Sequence, residues 1–252
     1  MPFNPLRLAR LQSSRGVVFA GETKMKNLKF LAVAVIALVS ASLAQAQVIV
    51  TNTSSVSVNT AIPDGNPGGM TSTTSFSGVQ GTITDVSVNL TISGGFNGDL
   101  YAYLSGPSSG FTILLNRVGV TSGNSFGYGD SGFNNITLSD SSANNVHNYQ
   151  SDSPIMSGGQ LTGIWAPDGR NIDPQSSPSS FDTASTSTDF SSFVGGAPNG
   201  NWTLFIADMS SGGQATLVSW GLTVVTVPEP QTWILVAGGV GVLLALNRRR
   251  KL

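Results

Sequence analysis

The strongest constraint in this sequence is a period of two residues that recurs in short segments. Apolar and polar residues alternate over positions 86–92, 100–104, 202–206 and 220–224. Successive side chains of a β-strand point to opposite faces, so this pattern predicts strands with one apolar and one polar face. Strand patterns of this kind recur between residues 47 and 226, whereas helical patterns do not. We therefore predict an all-β domain there.

Turn-forming dipeptides separate the predicted strands. Asp-Gly or Asn-Gly pairs occur at positions 64–65, 97–98, 168–169 and 199–200. Such pairs adopt the tight turns that join antiparallel strands. Short strands between such turns predict a β-sandwich, and about 180 residues are enough to bury one core. The Ser-, Thr- and Pro-rich segment 174–192 is predicted to be a long surface loop.

Composition excludes several classes of site. The 252 residues include no cysteine and one histidine, which excludes disulfides, thiolate metal sites, cysteine nucleophiles and multi-histidine metal sites. Between Gln47 and Val227 the chain has 11 aspartates, two arginines, no glutamate and no lysine, a formal charge of −9. Such an acidic body repels nucleic acid, so we expect no nucleic-acid partner.

The N-terminal region predicts export. Residues 25–46 have a basic start, an apolar run of about ten residues and a stretch of small residues, which is the architecture of a secretory signal peptide. Ala44 and Ala46 fit the cleavage site of signal peptidase, so the mature chain is expected to begin near Gln47. Residues 1–24 are either sequence upstream of the true start at Met25 or an unusually long basic region.

The C-terminal region, residues 227–252, predicts a second targeting signal. It opens with a tripeptide, Pro228, Glu229 and Pro230, and continues with an apolar run at 233–246 and a basic cluster. The apolar run is shorter than the ~20 residues of a typical membrane span, and the basic cluster is expected to stay cytoplasmic. These parts resemble the PEP-CTERM sorting signal of Gram-negative bacteria. The resemblance implies a transmembrane segment and cleavage by exosortase near the tripeptide; the alternative is a plain membrane anchor.

A set of landmark sequences runs in order through the body. They are Ile-Pro-Asp at 62–64, the strand 83–90, Gly-Asp-Leu at 98–100, Leu-Ser-Gly-Pro at 104–107, Ile-Leu-Leu at 113–115, Leu-Ser-Asp at 138–140, Phe-Ser-Ser-Phe at 190–193, Gly-Asn-Trp-Thr-Leu at 200–204 and Ser-Trp-Gly-Leu at 219–222. Over roughly residues 62–225 this set resembles the P domain (P/Homo B) of kexin- and furin-like proprotein convertases. The resemblance implies a jelly-roll β-sandwich of the galactose-binding-like type.

The resemblance also directs attention to four aspartates at landmark positions. Calcium prefers carboxylate, amide and carbonyl oxygens, and no contiguous EF-hand loop is present. A calcium site would therefore be assembled across loops, with Asp64, Asp99, Asp140 and Asp208 as its candidate ligands. The alternative is that these residues form turns or cap strand ends. The family usually has a histidine shortly before its Gly-Asp-Leu and a second acidic residue after the position of Asp208, and this sequence has neither.

Aromatic residues suggest a surface that binds glycans. Tyr101 and Tyr103 lie on the face of their strand opposite its apolar residues, and Trp165 lies in a predicted loop near an aspartate. In a two-layer sandwich that face is open to solvent. The alternative is that the three rings fill a second small core. Trp202 and Trp220 occupy apolar strand faces, so we predict that both are core residues.

Catalysis is not expected. A serine-protease-type triad would need His147, and no Gly-x-Ser-x-Gly sequence accompanies it. We expect instead a non-enzymatic secreted module that moves from the inner membrane to the cell surface or extracellular matrix, where it is adhesive or associated with exopolysaccharide. The alternative is an accessory module that partners a secreted subtilisin-like protease in trans, since the family resemblance implies stabilisation of a protease domain.

Overall fold

The structure is a computed structural model of the chain, and it describes residues 48–228 together with residues 238–241, 243, 244 and 247. Residues 48–228 fold mainly into β-strands, which confirms the prediction made from the two-residue period. Within this range the strands are β1 (Val50–Ala61), β2 (Asn66–Phe76), β3 (Thr82–Gly94), β4 (Leu100–Ser105), β5 (Phe111–Asn116), β6 (Gly132–Ser139), β7 (Met156–Ser157), β8 (Gln160–Leu161), β9 (Ile164–Trp165), β10 (Gly200–Asp208) and β11 (Ala215–Val227).

The strands form two sheets. Sheet A has the order β1-β11-β3-β6-β8-β7, and β9 also pairs with β6. Its long pairs are antiparallel, whereas β8 and β9 join β6 in parallel. Sheet B has the order β2-β10-β4-β5 and is antiparallel throughout. Most neighbours in space are distant in sequence, so the sheets are held together by long-range pairing.

One hydrophobic core is shared by the two sheets. Sheet A contributes the apolar residues of β3, β6 and β11, and sheet B contributes those of β4, β5 and β10. Trp202 and Trp220 are both almost completely buried, as predicted. The indole Nε1 of Trp220 in β11 donates to Ser72 Oγ in β2 at 2.8 Å, which links the two sheets across the core. Complete burial of a large apolar side chain in this core stabilises the fold by roughly 1.5–3 kcal/mol.

The segment 174–192 differs from the predicted surface loop. It contains a one-turn helix, α1 (Pro178–Phe181), and leads into a 3₁₀ helix (Phe190–Phe193). The two phenylalanines of this segment, Phe181 and Phe190, are each 1% exposed. Phe193, the last residue of the 3₁₀ helix, is 3% exposed. The Phe193 ring packs on Trp202 with centroids 5.0 Å apart. The surface prediction is therefore wrong at Phe181 and Phe190, which are both buried: Phe190 belongs to the hydrophobic core, and Phe181 stacks on His147.

Little of the C-terminal region is described. Residues 238–241, 243, 244 and 247 have helical backbone. Among the described residues no helix has the length and apolar character needed to cross a membrane.

Candidate functional site

The outer face of sheet B carries four aromatic side chains that we call the aromatic cluster: Tyr101, Tyr103, Phe111 and Phe205. Tyr101 and Tyr103 of β4 and Phe205 of β10 point outward because the alternate residues of these strands are buried in the core. Phe111 is the first residue of β5, the neighbouring strand. The Tyr103 ring stacks on Phe205 with centroids 4.8 Å apart and planes 15° apart, and it lies 5.0 Å from the Phe111 ring. Tyr101 meets Tyr103 and Phe205 edge-on, at 6.1 and 6.3 Å. All four side chains are half-buried, so part of each ring is open to solvent.

Hydroxyl groups border the aromatic cluster. Thr203 of β10 pairs with Thr73 of β2, and their Oγ1 atoms lie 3.2 Å apart. Burial raises the pKa of the Tyr101 phenol, and Tyr103 and Asp173 raise it further. This phenol therefore keeps its proton at neutral pH and acts as a hydrogen-bond donor. The face combines aromatic rings with neutral hydrogen-bonding groups, and sequence reasoning identified its two tyrosines but not its two phenylalanines.

Trp165 does not belong to the aromatic cluster, which corrects its predicted grouping with the two tyrosines. It lies in β9 of sheet A rather than in a loop, and it is 5% exposed. Its Nε1 donates to the Thr162 carbonyl oxygen at 2.9 Å, and its ring meets Tyr149 edge-on at 6.2 Å. Trp165 is a core residue because a long-range pairing with β6 draws this short segment onto sheet A.

Three of the predicted calcium ligands lie at one end of the two sheets. Asp64 is in the turn between β1 and β2, Asp99 immediately precedes β4, and Asp208 ends β10. The Asp64 carboxylate accepts the Gly212 N–H at 3.1 and 3.3 Å, and Asp208 Oδ1 accepts the Ser210 N–H at 3.1 Å. The topology thus gathers aspartates that are far apart in sequence. We call these three residues the acidic cluster.

Burial dominates the electrostatics of the acidic cluster. Asp208 has no exposed surface, and its Oδ2 has no hydrogen-bond partner within the described residues. Burial raises the pKa of Asp208 to about 6; the Ser210 N–H opposes the rise, and the charges of Asp99 and Asp64 add to it. Burial also raises the pKa of Asp99, while the Ser210 side chain and Arg117 lower it. The cluster therefore takes up a proton at mildly acidic pH.

The acidic cluster places three carboxylates at one end of the sheets without bringing them together as a converged group of metal ligands. In the part of the chain that the structure describes, no three carboxylate or histidine side chains converge closely enough to hold a metal ion. Calcium needs six to eight oxygens at roughly 2.3–2.6 Å. Asp140 follows β6 at the opposite end of β3, where its Oδ1 accepts the Phe190 N–H at 3.4 Å and burial raises its pKa. Its grouping with the other three aspartates is wrong, and calcium binding stays a prediction.

A buried ionic cluster, which sequence reasoning missed, joins several loops. His147 Nδ1 lies 2.8 Å from Asp168 Oδ2, and Arg170 Nη1 lies 3.1 Å from Asp168 Oδ1. The Asn116 N–H donates to Asp168 Oδ2 at 3.1 Å. His147 Nε2 lies 3.0 Å from the Val120 carbonyl oxygen, so this nitrogen carries a hydrogen. His147 is 1% exposed and Asp168 is fully buried.

The position of His147 is that of a structural residue. Its ring lies within the protein, both its nitrogens face protein oxygens, and its plane stacks 6.1 Å from Phe181. A general base must come within about 3 Å of the substrate proton it removes, and this ring has no nitrogen turned towards solvent. Nothing local in the sequence links His147 to Asp168, 21 positions later. The pairing depends on how the loops meet.

Several predicted site residues lie outside the described part of the chain. These are the signal-cleavage residues, Ala44 and Ala46, and two residues of the sorting tripeptide, Glu229 and Pro230. Pro228 is described and directly follows β11. The signal peptide and the sorting signal are therefore predictions from the sequence.

Comparison with known proteins does not assign a family. No family model matches the chain, and no curated protein matches it. The chain is similar to solved structures of the serine protease of Aeromonas sobria. One is the complex of the serine protease (ASP) with the chaperone (ORF2), at 17% identity and a TM-score of 0.41, covering 76% of this chain and 29% of the other. Another is the serine protease itself, at 17% identity and a TM-score of 0.39, covering 72% and 28%. The present chain thus spans less than a third of those chains, and likenesses at these scores carry no conclusion about function.

Proposed function

We propose that this chain is a non-catalytic, exported binding module that holds extracellular polysaccharide at the cell surface or in the extracellular matrix. The observation that carries the proposal is the aromatic cluster on sheet B. Its four rings lie side by side on the outer face of paired strands, and each of the four residues is partly buried. Clustered exposed aromatic residues are a frequent mark of a binding surface.

The chemistry of the aromatic cluster suits a sugar chain. A sugar ring has an apolar face of C–H groups and a rim of hydroxyls. The negative π-face of a tyrosine or phenylalanine attracts such C–H groups, and the neighbouring Thr73 and Thr203 hydroxyls are placed to hydrogen-bond the rim. The rings are held by paired strands and by each other, so binding costs little side-chain entropy. The formal charge of −9 on the body favours a neutral chain over an anionic one.

Binding to neutral polysaccharides tests this proposal. Affinity electrophoresis in gels that contain a neutral glucan or galactomannan is expected to retard the protein. Tyr103→Ala removes the central ring and is expected to weaken retardation roughly tenfold. Phe126→Ala is the matched control, because Phe126 is 79% exposed in a loop and has no part in the cluster. Equal binding by both variants would show that the aromatic cluster is not the binding surface.

The route to that location is proposed from the sequence. Signal peptidase would release the chain near Gln47, the C-terminal segment would hold it in the inner membrane of a Gram-negative bacterium, and exosortase would process it near Pro228. Fractionation of the native host with mass spectrometry of the C-terminus tests this route. A mature chain in the matrix that ends near Pro228 supports it. A membrane-bound chain that retains Arg250 and Lys251 would show that the C-terminal segment is a simple anchor and is not cleaved.

A second candidate function is that of an accessory module for a secreted subtilisin-like protease in trans. The ordered landmarks that resemble a convertase P domain favour it. The strand orders β1-β11-β3-β6 and β2-β10-β4-β5 support the jelly-roll form of that fold, in which eight strands build two packed sheets. Copurification from the host distinguishes the two functions. A subtilisin-like protease that is recovered with the chain and loses thermal stability without it would favour the accessory function.

A further inference from the structure

The outer face of sheet A contains a shallow depression centred on Gly221 of β11. Its volume is about 220 Å³, and four strands contribute to its lining. The strand register explains its position, because Gly221 pairs with Ser55 on one side and with Asn89 on the other. Since glycine has no side chain, the polar side chains of the neighbouring strands surround an opening. We call it the Gly221 depression, and it lies on the opposite sheet from the aromatic cluster.

The side chains around the Gly221 depression have hydrogen-bonding capacity to spare. Asn89 Nδ2 donates to Thr137 Oγ1 at 2.8 Å, which fixes the orientation of the amide. A Cβ atom at Gly221 would lie 3.9 Å from Asn89 Oδ1, so this acceptor faces the depression. Other lining hydroxyls make no side-chain hydrogen bond to any described residue: Thr53, Ser55, Ser219 and Thr223. Each such hydroxyl can both donate and accept.

The wall of the Gly221 depression on β6 has an unusual backbone. Asn135 has φ of +50°, a left-handed conformation that is uncommon outside glycine and that asparagine tolerates better than most residues. The β3–β6 register shifts next to this point. Such a β-bulge changes the direction of side chains and is frequent near functional sites. The result is an exposed amide at the rim of the depression.

We infer that the Gly221 depression is a second binding site, for one unit of a neutral carbohydrate chain laid across sheet A. None of its lining residues is charged, and hydroxyl and amide groups match the alternating donors and acceptors of a sugar. The strand backbone here is engaged in sheet pairing, so recognition falls to the side chains. The volume is below the roughly 300–1,000 Å³ of sites for drug-sized ligands, which suits a single sugar ring.

The inference goes beyond the proposed function because it places a second site on the other sheet, independent of the aromatic cluster. Gly221 determines whether the site exists. Its backbone is not left-handed, and an added Cβ would lie 3.3 Å from the Ser54 carbonyl oxygen, so the sheet accommodates a side chain with a small adjustment. Gly221→Val therefore fills the depression. Thr51→Val is the matched control, because Thr51 is exposed on β1 and does not line the depression.

The experiment uses the full chain, ¹⁵N-labelled, titrated with cello-oligosaccharides, with galactomannan oligosaccharides and with anionic alginate oligosaccharides. We expect the neutral oligosaccharides to shift the amide signals of Gly221 and Asn89 in addition to those around Tyr103. Gly221→Val is expected to raise the Kd obtained from the shifts at Asn89 roughly tenfold. The Kd obtained from the shifts at Tyr103 should not change. Asn89→Ala serves as a second variant, and Thr51→Val is expected to behave like the wild type at both positions.

Each outcome separates the two sites. Shifts at Asn89 that persist in Tyr103→Ala and disappear in Gly221→Val support the inference. Shifts confined to Tyr103 overturn the inference and leave the proposed function standing. Shifts at Asn89 without any at Tyr103 overturn the proposed site but support this one. Binding of alginate alone, or of none of the three, overturns the inference.

Discussion

Replacing Asp168 with alanine tests whether the buried ionic cluster holds the loops together. The variant leaves His147 and Arg170 without their shared carboxylate, and it leaves the Asn116 N–H without an acceptor. Removing one partner of a buried ion pair costs about 3–5 kcal/mol, out of a total stability of roughly 5–15 kcal/mol. In a domain of this size each kcal/mol lowers the melting temperature by roughly 2–4 °C, so we expect a fall of roughly 6–20 °C.

Far-ultraviolet circular dichroism, which reports β-structure, measures this effect. The signal is followed during heating and during urea titration. Asp173→Ala is the matched control. Asp173 is exposed, and its carboxylate accepts only the Gln175 N–H among the described hydrogen bonds, at 2.8 Å. Surface changes of this kind usually alter stability by no more than about 0.5 kcal/mol. An Asp168→Ala protein that melts within about 2 °C of the wild type would refute a structural role for the ionic cluster.

A second variant separates charge from shape. Asp168→Asn keeps an oxygen that can accept the Asn116 N–H, but it removes the negative charge between His147 and Arg170. We expect a melting temperature between those of the wild type and Asp168→Ala. An asparagine variant as stable as the wild type would show that the hydrogen bonds alone hold the loops.

Three further predictions follow from other parts of the fold. Because burial raises the pKa of Asp208 from its ordinary 3.8 to about 6, protonation favours the folded state, and wild-type stability in urea should fall as the pH rises from about 4 to about 7. Asp208→Asn should flatten that fall, and after allowance for solvent screening the variant should be more stable than the wild type at pH 7 by about 1–2 kcal/mol. A variant with the same pH profile as the wild type would contradict this role of Asp208. Trp220→Phe loses the bond to Ser72 Oγ and should cost about 1–3 kcal/mol, which equilibrium unfolding measures; a smaller loss would show that this link between the sheets matters little. The sequence predicts that the aspartates of the acidic cluster bind calcium, so millimolar calcium should raise the melting temperature above its value in EDTA; equal melting temperatures would overturn the calcium prediction.

The strands that sequence reasoning predicted are those whose inward residues are all apolar. Positions 86–92 and 220–224 fall within β3 and β11, where a local period of two records one buried and one open face. The two strands β1 and β2 have few apolar residues and many serines and threonines, so they carry no such signal. They form because the edges of β11 and β10 are available to pair with them.

A candidate site could be predicted from the sequence only where all its residues lie on one strand. Tyr101 and Tyr103 share an outward face because they are two positions apart, which the sequence shows directly. Trp165 was misplaced because its environment depends on a pairing with β6 across an intervening loop. The Gly221 depression needs the register of four strands at once, and no local pattern contains that information.

The position of β11 has a mechanical consequence. This strand leads directly to the C-terminal segment, and it lies between β1 and β3, with 10 residue pairs on one side and 12 on the other. Tension applied along the chain beyond Val227 would load both ladders in shear, so many hydrogen bonds would have to fail together rather than one after another. If the C-terminal end is where the protein is tethered, the module is built to transmit a pull from its bound ligand without being unzipped.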